Sequence, residues 1–477
     1  MPEDGRRALY WLAAFALFIT AVRSFLAVEV GLAPDEAYYW QWSRALSLSY
    51  PDHPPLVAWL IRLGTEIAGE TPLGVRLFGI IGGLAAIGVT YRIGREIGLD
   101  MKRSVAAAAL QSLLAAPMAA ALIITPDTPL GLAWLTAELA MIRIHKGDTK
   151  WWYVLGASMG IAMLSKYSGL MLMPFVVFSF WKSLRGRCFH LVAALAIALS
   201  MVLPHLISEW YGGFSAARFQ RAHLAGDLPM SGVLMGAPQR LLEVISGQMG
   251  LLTPIVAVWV GIGVWRARTD TSRVLSIGLL LPLGATLAAA VFTHPEQNWA
   301  ALGHPGAAVL CVMVLDGRQR TTRCGYKWRR GAAFGSAAVC AVLIHLHLLL
   351  PILPLPPTKD PTARLFGWER LAVLSPLLNG VDAVVCDNYG LAAMVAWHFR
   401  GRTGMPSVHN ADRSLFPTAG RLLILNQQND FGLVQAPLMC ASMDEKDDIP
   451  LRRRDGEAWD SVAVAVGGDC RRRFLHE

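Results

Sequence analysis

The sequence predicts a polytopic α-helical membrane protein of about 11 spans, with two juxtamembrane helices and a small C-terminal α/β domain. Three observations carry that prediction. Of 477 residues, 54% are hydrophobic and only 16% charged, at a mean hydropathy of +0.42, whereas a soluble domain carries about 25% charged residues. Apolar runs recur along the first 355 residues. The bases between those runs concentrate in alternate loops.

The runs cover 8–28, 73–91, 104–124, 130–144, 151–164, 170–181, 189–207, 244–265, 274–292, 299–315 and 331–350. The first follows Arg6-Arg7, shows no small-residue cleavage site and reads as a retained anchor. The 16 tryptophans suit rings placed at the water–lipid boundary. Between 153 and 180 the boundaries stay open, because Lys166 also fits inside one bent pair.

Charge sets the orientation. Residues 1–355 hold 29 Lys+Arg and 19 Asp+Glu, against 14 and 15 in residues 356–477. The excess positive charge lies in short clusters between apolar runs rather than on one face, so nucleic acid is excluded as a partner. Loops on the N-terminal side, from Arg6 to Arg330, carry 21 of the 29 bases. The positive-inside bias therefore puts the N-terminus in the cytoplasm and the opposite loops outside, in the periplasm of a bacterial inner membrane. An odd number of spans also exports the C-terminal domain.

Two domains follow: a membrane domain over 1–355, with a first external loop at 29–72, and an exported domain over 356–477. The break falls at the proline-rich stretch 351–357, after which composition turns mixed polar. Short apolar runs at 383–386 and 421–425 read as strands between helices. Seven cysteines show no CxxC or Cys/His metal spacing. Cys386, Cys440 and Cys470 lie in the exported domain, where one pair can oxidise.

Candidate chemistry gathers in the external loops. Asp35 and Glu36 stand directly after the first run, in Asp35-Glu36-Ala37-Tyr38-Tyr39-Trp40. Acids beside a bilayer are costly, which points to function. The rival reading is a helix start, since Pro34-Asp35-Glu36 suits one. Asp127 occupies a second boundary, in Thr125-Pro126-Asp127-Thr128-Pro129, and also suits a turn. Two acids on one face would give a general base and an orienting partner for an acceptor hydroxyl or amine.

Cations lie on the same side. Lys166 also reads as a snorkelling lysine, His53 in Asp52-His53-Pro54-Pro55 as a turn residue, and Arg218 and Arg221 with His223 as a solvated loop face. A phosphate leaving group accounts for all of them, because Lys and Arg stabilise the charge that develops on it. Between the first two spans, Tyr38, Tyr39, Trp40 and Trp42 give one amphipathic helix its apolar face. Leu56, Trp59, Leu60 and Leu63 do so for a second, which Pro54-Pro55 would start.

Taken in order, Asp-Glu-x-Tyr-Tyr at 35–39, His-Pro-Pro-Leu at 53–56 followed by Val75-Arg76-Leu77, Pro-Asp-x-Pro-Leu at 126–130 and Leu-Ser-Lys-Tyr-x-Gly at 164–169 resemble one group. It is the bacterial branch of the GT-C glycosyltransferases, the family 39/83 group. That group includes protein O-mannosyltransferases and the aminoarabinose and galacturonic acid transferases of lipid A and core. The likeness covers the membrane region.

The resemblance implies sugar transfer from a polyprenyl-phosphate donor at the periplasmic membrane face, inverting and without metal or other cofactor. A lipid A or core sugar is the first acceptor it implies, and a protein Ser or Thr the second. It implies Asp35 as base or acceptor-binding acid, Asp127 as its partner and Lys166 as the phosphate-binding lysine. His53 stands where the aminoarabinose enzymes have a lysine beside Pro-Pro, giving it a phosphate contact when protonated. Gln297-Asn298-Trp299 resembles an Asn-Trp segment before the later spans, so Asn298 and Trp299 would line substrate with Glu36, Tyr38 and Tyr39.

Two departures stand out. Tyr38 replaces an Arg of the aminoarabinose enzymes, which moves one phosphate contact to Arg218 or Arg221. Ser208-Glu209 before Trp210 replaces a Trp-Asn pair near the end of the seventh span. A transporter or lipid flippase also needs many spans, but it predicts charges near the bilayer midplane and matching broken halves, and neither is evident.

Overall fold

The computed structural model describes residues 3–181, 183, 185–214, 216–218, 221, 230–315, 323–410, 421–427, 438–453 and 456–472. Each apolar run of the membrane region is helical. Among the described residues, six helices are long and apolar enough to cross a membrane: Gly5–Glu29, Pro72–Glu96, Cys188–Tyr211, Asp270–Phe292, Gln297–Leu315 and Lys327–Leu349. Two bent pairs raise the count to eight if each is one span. Met101–Leu113 with Ala115–Leu122 bends by 67°, and Gly236–Leu252 with Pro254–Arg266 by 100°.

The eleven apolar runs of the sequence thus exceed the six to eight spans that length and composition support. Hydropathy adds up along a run and does not register a break. At the second break Thr253 sits at φ 65°, and Pro254, lacking an N–H, opens a new helix. Trp151–Ser165 and Leu172–Phe180 are each shorter than a span.

Contacts divide the chain into two units. One holds Met1–Phe25, Leu46–Gly64 and Arg76–Val342; the other holds Leu26–Ala45, Thr65–Val75 and Leu343–Glu477. The division by composition at 355/356 differs in kind, since contacts group two pieces of the first loop with the C-terminal residues.

In the first unit, helix Asp127–His145 is the buried centre, with Leu130, Trp134, Ala137, Met141 and Ile142 fully covered. Trp134 stacks on Phe175 at 5.0 Å. Helix Trp151–Ser165 approaches Cys188–Tyr211 so closely that a Cβ on Gly156 would lie 2.5 Å from the Ala194 carbonyl oxygen. Small residues let helices in membranes pack this way. Trp11, Phe18, Phe189 and Trp265 are exposed instead, as suits rings turned towards lipid. Near Arg143 an ion-pair knot forms, Glu96 accepting from Arg143 at 3.0 Å and from Lys146 at 2.8 Å.

The second unit carries a five-stranded sheet in the order β2-β1-β3-β5-β4. Its strands are β1 Ala383–Cys386, β2 Ser407–Asn410, β3 Arg421–Gln427, β4 Leu438–Arg452 and β5 Ala458–Arg472. β1 runs parallel to β2 and β3, and β5 antiparallel to β3 and β4. Both strands read from sequence are present. All four residues of β1 are buried, as in a parallel strand covered on both faces.

Asn388 caps the following helix, Tyr389–His398, by accepting from the Leu391 N–H at 2.7 Å. Helix Pro34–Arg44 packs on it: Trp40 meets Trp397 edge-on at 5.0 Å, and the Arg400 guanidinium lies 3.8 Å from the Trp397 ring centre. Asp360 is buried between His347, at 3.2 Å, and Arg453, at 3.0 Å. Burial opposes its charge, yet the Thr362 donors, Arg453 and His347 together hold its carboxyl below the usual carboxylate range. Cys386 is buried and free, while strand register sets Cys440 opposite Cys470.

Candidate active site

Three expected site residues converge in the first unit. In the turn at 125–129, the Thr128 hydroxyl accepts from the Thr125 N–H at 3.2 Å and donates to the Ala120 carbonyl at 3.0 Å. Asp127 therefore opens helix Asp127–His145, where the dipole favours an acid. Lys166 ends helix Trp151–Ser165 in extended backbone. Its ammonium lies 3.0 and 3.1 Å from the two Asp127 oxygens, and the Asn298 amide donates to the same carboxylate at 2.8 Å. The segment carrying Asn298 is pinned through Gln297, whose carbonyl accepts from Gln248 at 2.8 Å and whose amide donates to the Glu243 carbonyl at 3.2 Å.

The glycine of Leu-Ser-Lys-Tyr-x-Gly has a steric reason. After Lys166 the turn Tyr167–Met171 folds back on its own helix, and a Cβ on Gly169 would lie 2.5 Å from the backbone carbon and oxygen of Ala162. Gly169→Ala is expected to destabilise the protein by about 1–3 kcal/mol through overpacking, and to displace Lys166. Thermal unfolding in detergent tests this; an unchanged melting temperature with wild-type transfer would show that the turn tolerates the methyl group.

Below these polar groups lies a cavity of about 390 Å³ with mostly apolar walls, among them Pro117, Ala120, Ile123, Leu251, Leu302 and Pro305. Asp127, Asn298, Gln297 and Thr125 supply its polar lining. An apolar space with a few convergent polar groups is what a ligand with a polar head and a hydrocarbon body requires.

Next to Lys166, the Tyr167 hydroxyl lies 3.4 Å from His205 Nε2, and His205 Nδ1 meets the Leu48 carbonyl at 2.9 Å. Glu209 is buried and accepts from the Ser49 hydroxyl. This acid, noted in the sequence only as a departure from relatives, ties the end of helix Cys188–Tyr211 to the segment at 48–49. His53 is half-buried in the turn before Leu56–Ala68, and Trp299 is half-buried beside Asn298. Arg218 and Arg221 are exposed, and among the described residues neither reaches the Asp127 carboxylate. His223 lies outside the described residues.

Asp35 belongs to the second unit. It is exposed in the first turn of Pro34–Arg44 and accepts from the Tyr389 hydroxyl at 2.9 Å. Tyr38 is half-buried, its ring 4.7 Å from Tyr389 and 4.7 Å from Trp42. Glu36 is fully buried and accepts from the Ala33 N–H at 3.0 Å. That is the reciprocal half of a capping box, with alanine at the cap unable to supply the other half. Tyr39 is buried against Trp42. Glu36 and Tyr39, expected to line substrate, thus both lie on the buried side of this helix.

The first unit thus holds a cation–carboxylate pair beside an apolar cavity, in a chain with several helices apolar enough to cross a membrane. A family profile described as dolichyl-phosphate-mannose-protein mannosyltransferase matches residues 52–208. The chain is 24% identical over 411 residues to the lipid A galacturonosyltransferase RgtD of Rhizobium johnstonii, covering 83% of each. It is 23% identical over 488 residues to the undecaprenyl phosphate-alpha-4-amino-4-deoxy-L-arabinose arabinosyl transferase of Pseudomonas aeruginosa, covering 86% of this chain and 85% of that one. Its fold is similar to that of ArnT from Cupriavidus metallidurans, solved bound to undecaprenyl phosphate, with a TM-score of 0.61 at 17% identity over 96% of this chain and 98% of that one. The chain is a glycosyltransferase, and its sequence and fold are similar to those of the GT-C group.

Proposed function

We propose that this chain transfers a sugar from a polyprenyl-phosphate donor to a lipid A or core sugar at the periplasmic face of the bacterial inner membrane. One observation carries this: the Asp127–Lys166–Asn298 cluster borders a cavity with apolar walls. An ammonium held by a carboxylate beside such walls suits a donor with an anionic head and an apolar chain. Relatives named for an undecaprenyl phosphate sugar and for lipid A support the two substrate classes. The one-sided distribution of Lys and Arg supports the external face and a cytoplasmic N-terminus.

In the proposed reaction the acceptor hydroxyl oxygen attacks the anomeric carbon, and the bond from that carbon to the phosphate oxygen breaks. The electron pair leaves with the polyprenyl phosphate, and the configuration inverts. Asp35 takes the hydroxyl proton. Lys166 stabilises the phosphate as its charge grows, with Asp127 and Asn298 orienting the ammonium. His53, Arg218 and Arg221 are assigned as further phosphate-side cations, and Tyr38 and Trp299 as lining residues.

The test is purified protein with polyprenyl-phosphate-linked galacturonic acid or aminoarabinose, presented with lipid A, core and a secreted protein, and products read by mass spectrometry. The expected product is lipid A or core heavier by one sugar. Transfer to Ser or Thr would replace the acceptor class, the alternative that the family profile favours. Absence of transfer from every polyprenyl-phosphate sugar would overturn the donor assignment.

A further inference from the structure

We infer that Tyr389, on the C-terminal sheet domain, is a positioning residue for the transfer: its hydroxyl fixes the Asp35 carboxylate in the orientation that receives the acceptor's proton. Tyr389 has this role only if Asp35 is the base, as proposed above.

Tyr389 stands two residues past Asp387, just beyond the carboxyl end of β1, between the two strands parallel to it. In open parallel sheets that end is where functional side chains project. Here the turn is held by a buried polar network. The Asp387 carboxylate accepts from the Gln427 N–H at 2.8 Å and from the Asn388 amide at 3.0 Å. The Gln427 amide donates in turn to Asp460 at 2.6 Å. Asp387 and Asp460 are only 3% and 4% exposed. Burying two acids to shape one turn is costly, and a satisfied network of this kind fixes a single geometry.

That geometry is delivered to Asp35. The Tyr389 ring packs on Tyr38 at 4.7 Å, which restrains the phenol, and its hydroxyl reaches Asp35 Oδ1 at 2.9 Å. The neighbouring Gly390 lies so close to Pro34 that a Cβ there would come 3.0 Å from the proline Cβ. Backbone and side chain of Asp35 are thus both referenced to the start of one helix. A donor on Oδ1 limits rotation of the carboxylate about its Cβ–Cγ bond, which is what a base needs to meet a hydroxyl in line.

A simple tether is the competing role, and the local energetics speak against it. The contact between the two helices is carried by ring packing, Trp40 on Trp397 and Tyr38 on Tyr389. One hydrogen bond to an exposed carboxylate adds little to that. Tyr389→Phe keeps the ring and deletes only the donor.

The experiment compares full-length wild type, Tyr389→Phe and Asp35→Asn in detergent, measuring kcat, KM for donor and acceptor, and melting temperature. Tyr389→Phe is expected to lower kcat roughly tenfold, with both KM values within about twofold and the melting temperature unchanged. Wild-type kcat in Tyr389→Phe beside an impaired Asp35→Asn would overturn the role of Tyr389 alone. A melting temperature that falls together with the rate would make Tyr389 a tether and also overturn it. Wild-type transfer by Asp35→Asn would remove the base assignment first.

Discussion

Lys166→Ala is expected to lower the rate of polyprenyl phosphate release by roughly a thousandfold, the scale of losing a preorganised charge at a leaving group. Its ammonium is mostly covered, at 15% side-chain exposure, and stands near apolar walls where a charge acts more strongly than in water. Removing it does two things. The departing phosphate loses its counter-charge, and Asp127, itself at 18%, becomes an unbalanced anion that repels the same phosphate. The sign of the second effect gives a sharper test. Lys166→Ala with Asp127→Asn should transfer faster than Lys166→Ala alone, by about tenfold, because the stranded charge is gone. Lys166→Arg keeps the charge but not its shape, so partial activity is expected. Stability should fall by about 1–3 kcal/mol, between the values for a surface pair and a fully buried one, since the pair is mostly covered. If Lys166→Ala retained a third of the wild-type rate, phosphate stabilisation would have to come from elsewhere.

The helices of the membrane region and the strands at 383–386 and 421–425 were legible because their signals are local. A proline opens helix Pro34–Arg44, a Pro-Pro pair precedes Leu56–Ala68, and four consecutive apolar residues make β1. The candidate site was legible only as separate points. Asp127 and Lys166 are 39 residues apart, and Asp127 and Asn298 are 171 apart, so no spacing rule links them. The bends at Leu114 and Thr253 were hidden for a different reason. Leu114 is as apolar as its neighbours, the single Thr253-Pro254 step is too short to interrupt an apolar average, and hydropathy is blind to direction.

Glu138 was missed as well. It is fully buried near Gly278 and Gly306, in a helix whose other residues announce an ordinary span. The two acids after the first span show the reverse case. Chemistry and capping were both readable from Pro34-Asp35-Glu36, and burial separates them: Glu36 is covered and serves the helix start, while Asp35 is exposed.

That separation sets up the second large effect. Asp35→Asn is expected to lower kcat by roughly a hundredfold to ten-thousandfold, the range for loss of a general base. Asparagine keeps the size of the side chain, and its carbonyl can still accept from Tyr389, so the fold and the melting temperature should hold. The comparison is Glu36→Gln. Glutamine also accepts from the Ala33 N–H, as either residue does in a capping box, so transfer should stay within about threefold of wild type. Two adjacent acids would then respond to the same loss of charge with opposite outcomes, although Glu36 is the more buried. Depth of burial alone would order them the other way, since a buried acid has more local structure resting on it. Equal and severe losses in both variants, with lowered melting temperatures, would instead make the whole Pro34–Arg44 turn a structural element and leave the proton acceptor to be sought elsewhere. A rate loss confined to Asp35→Asn at unchanged stability can come only from the reaction itself, because the two variants remove the same charge from the same turn of one helix.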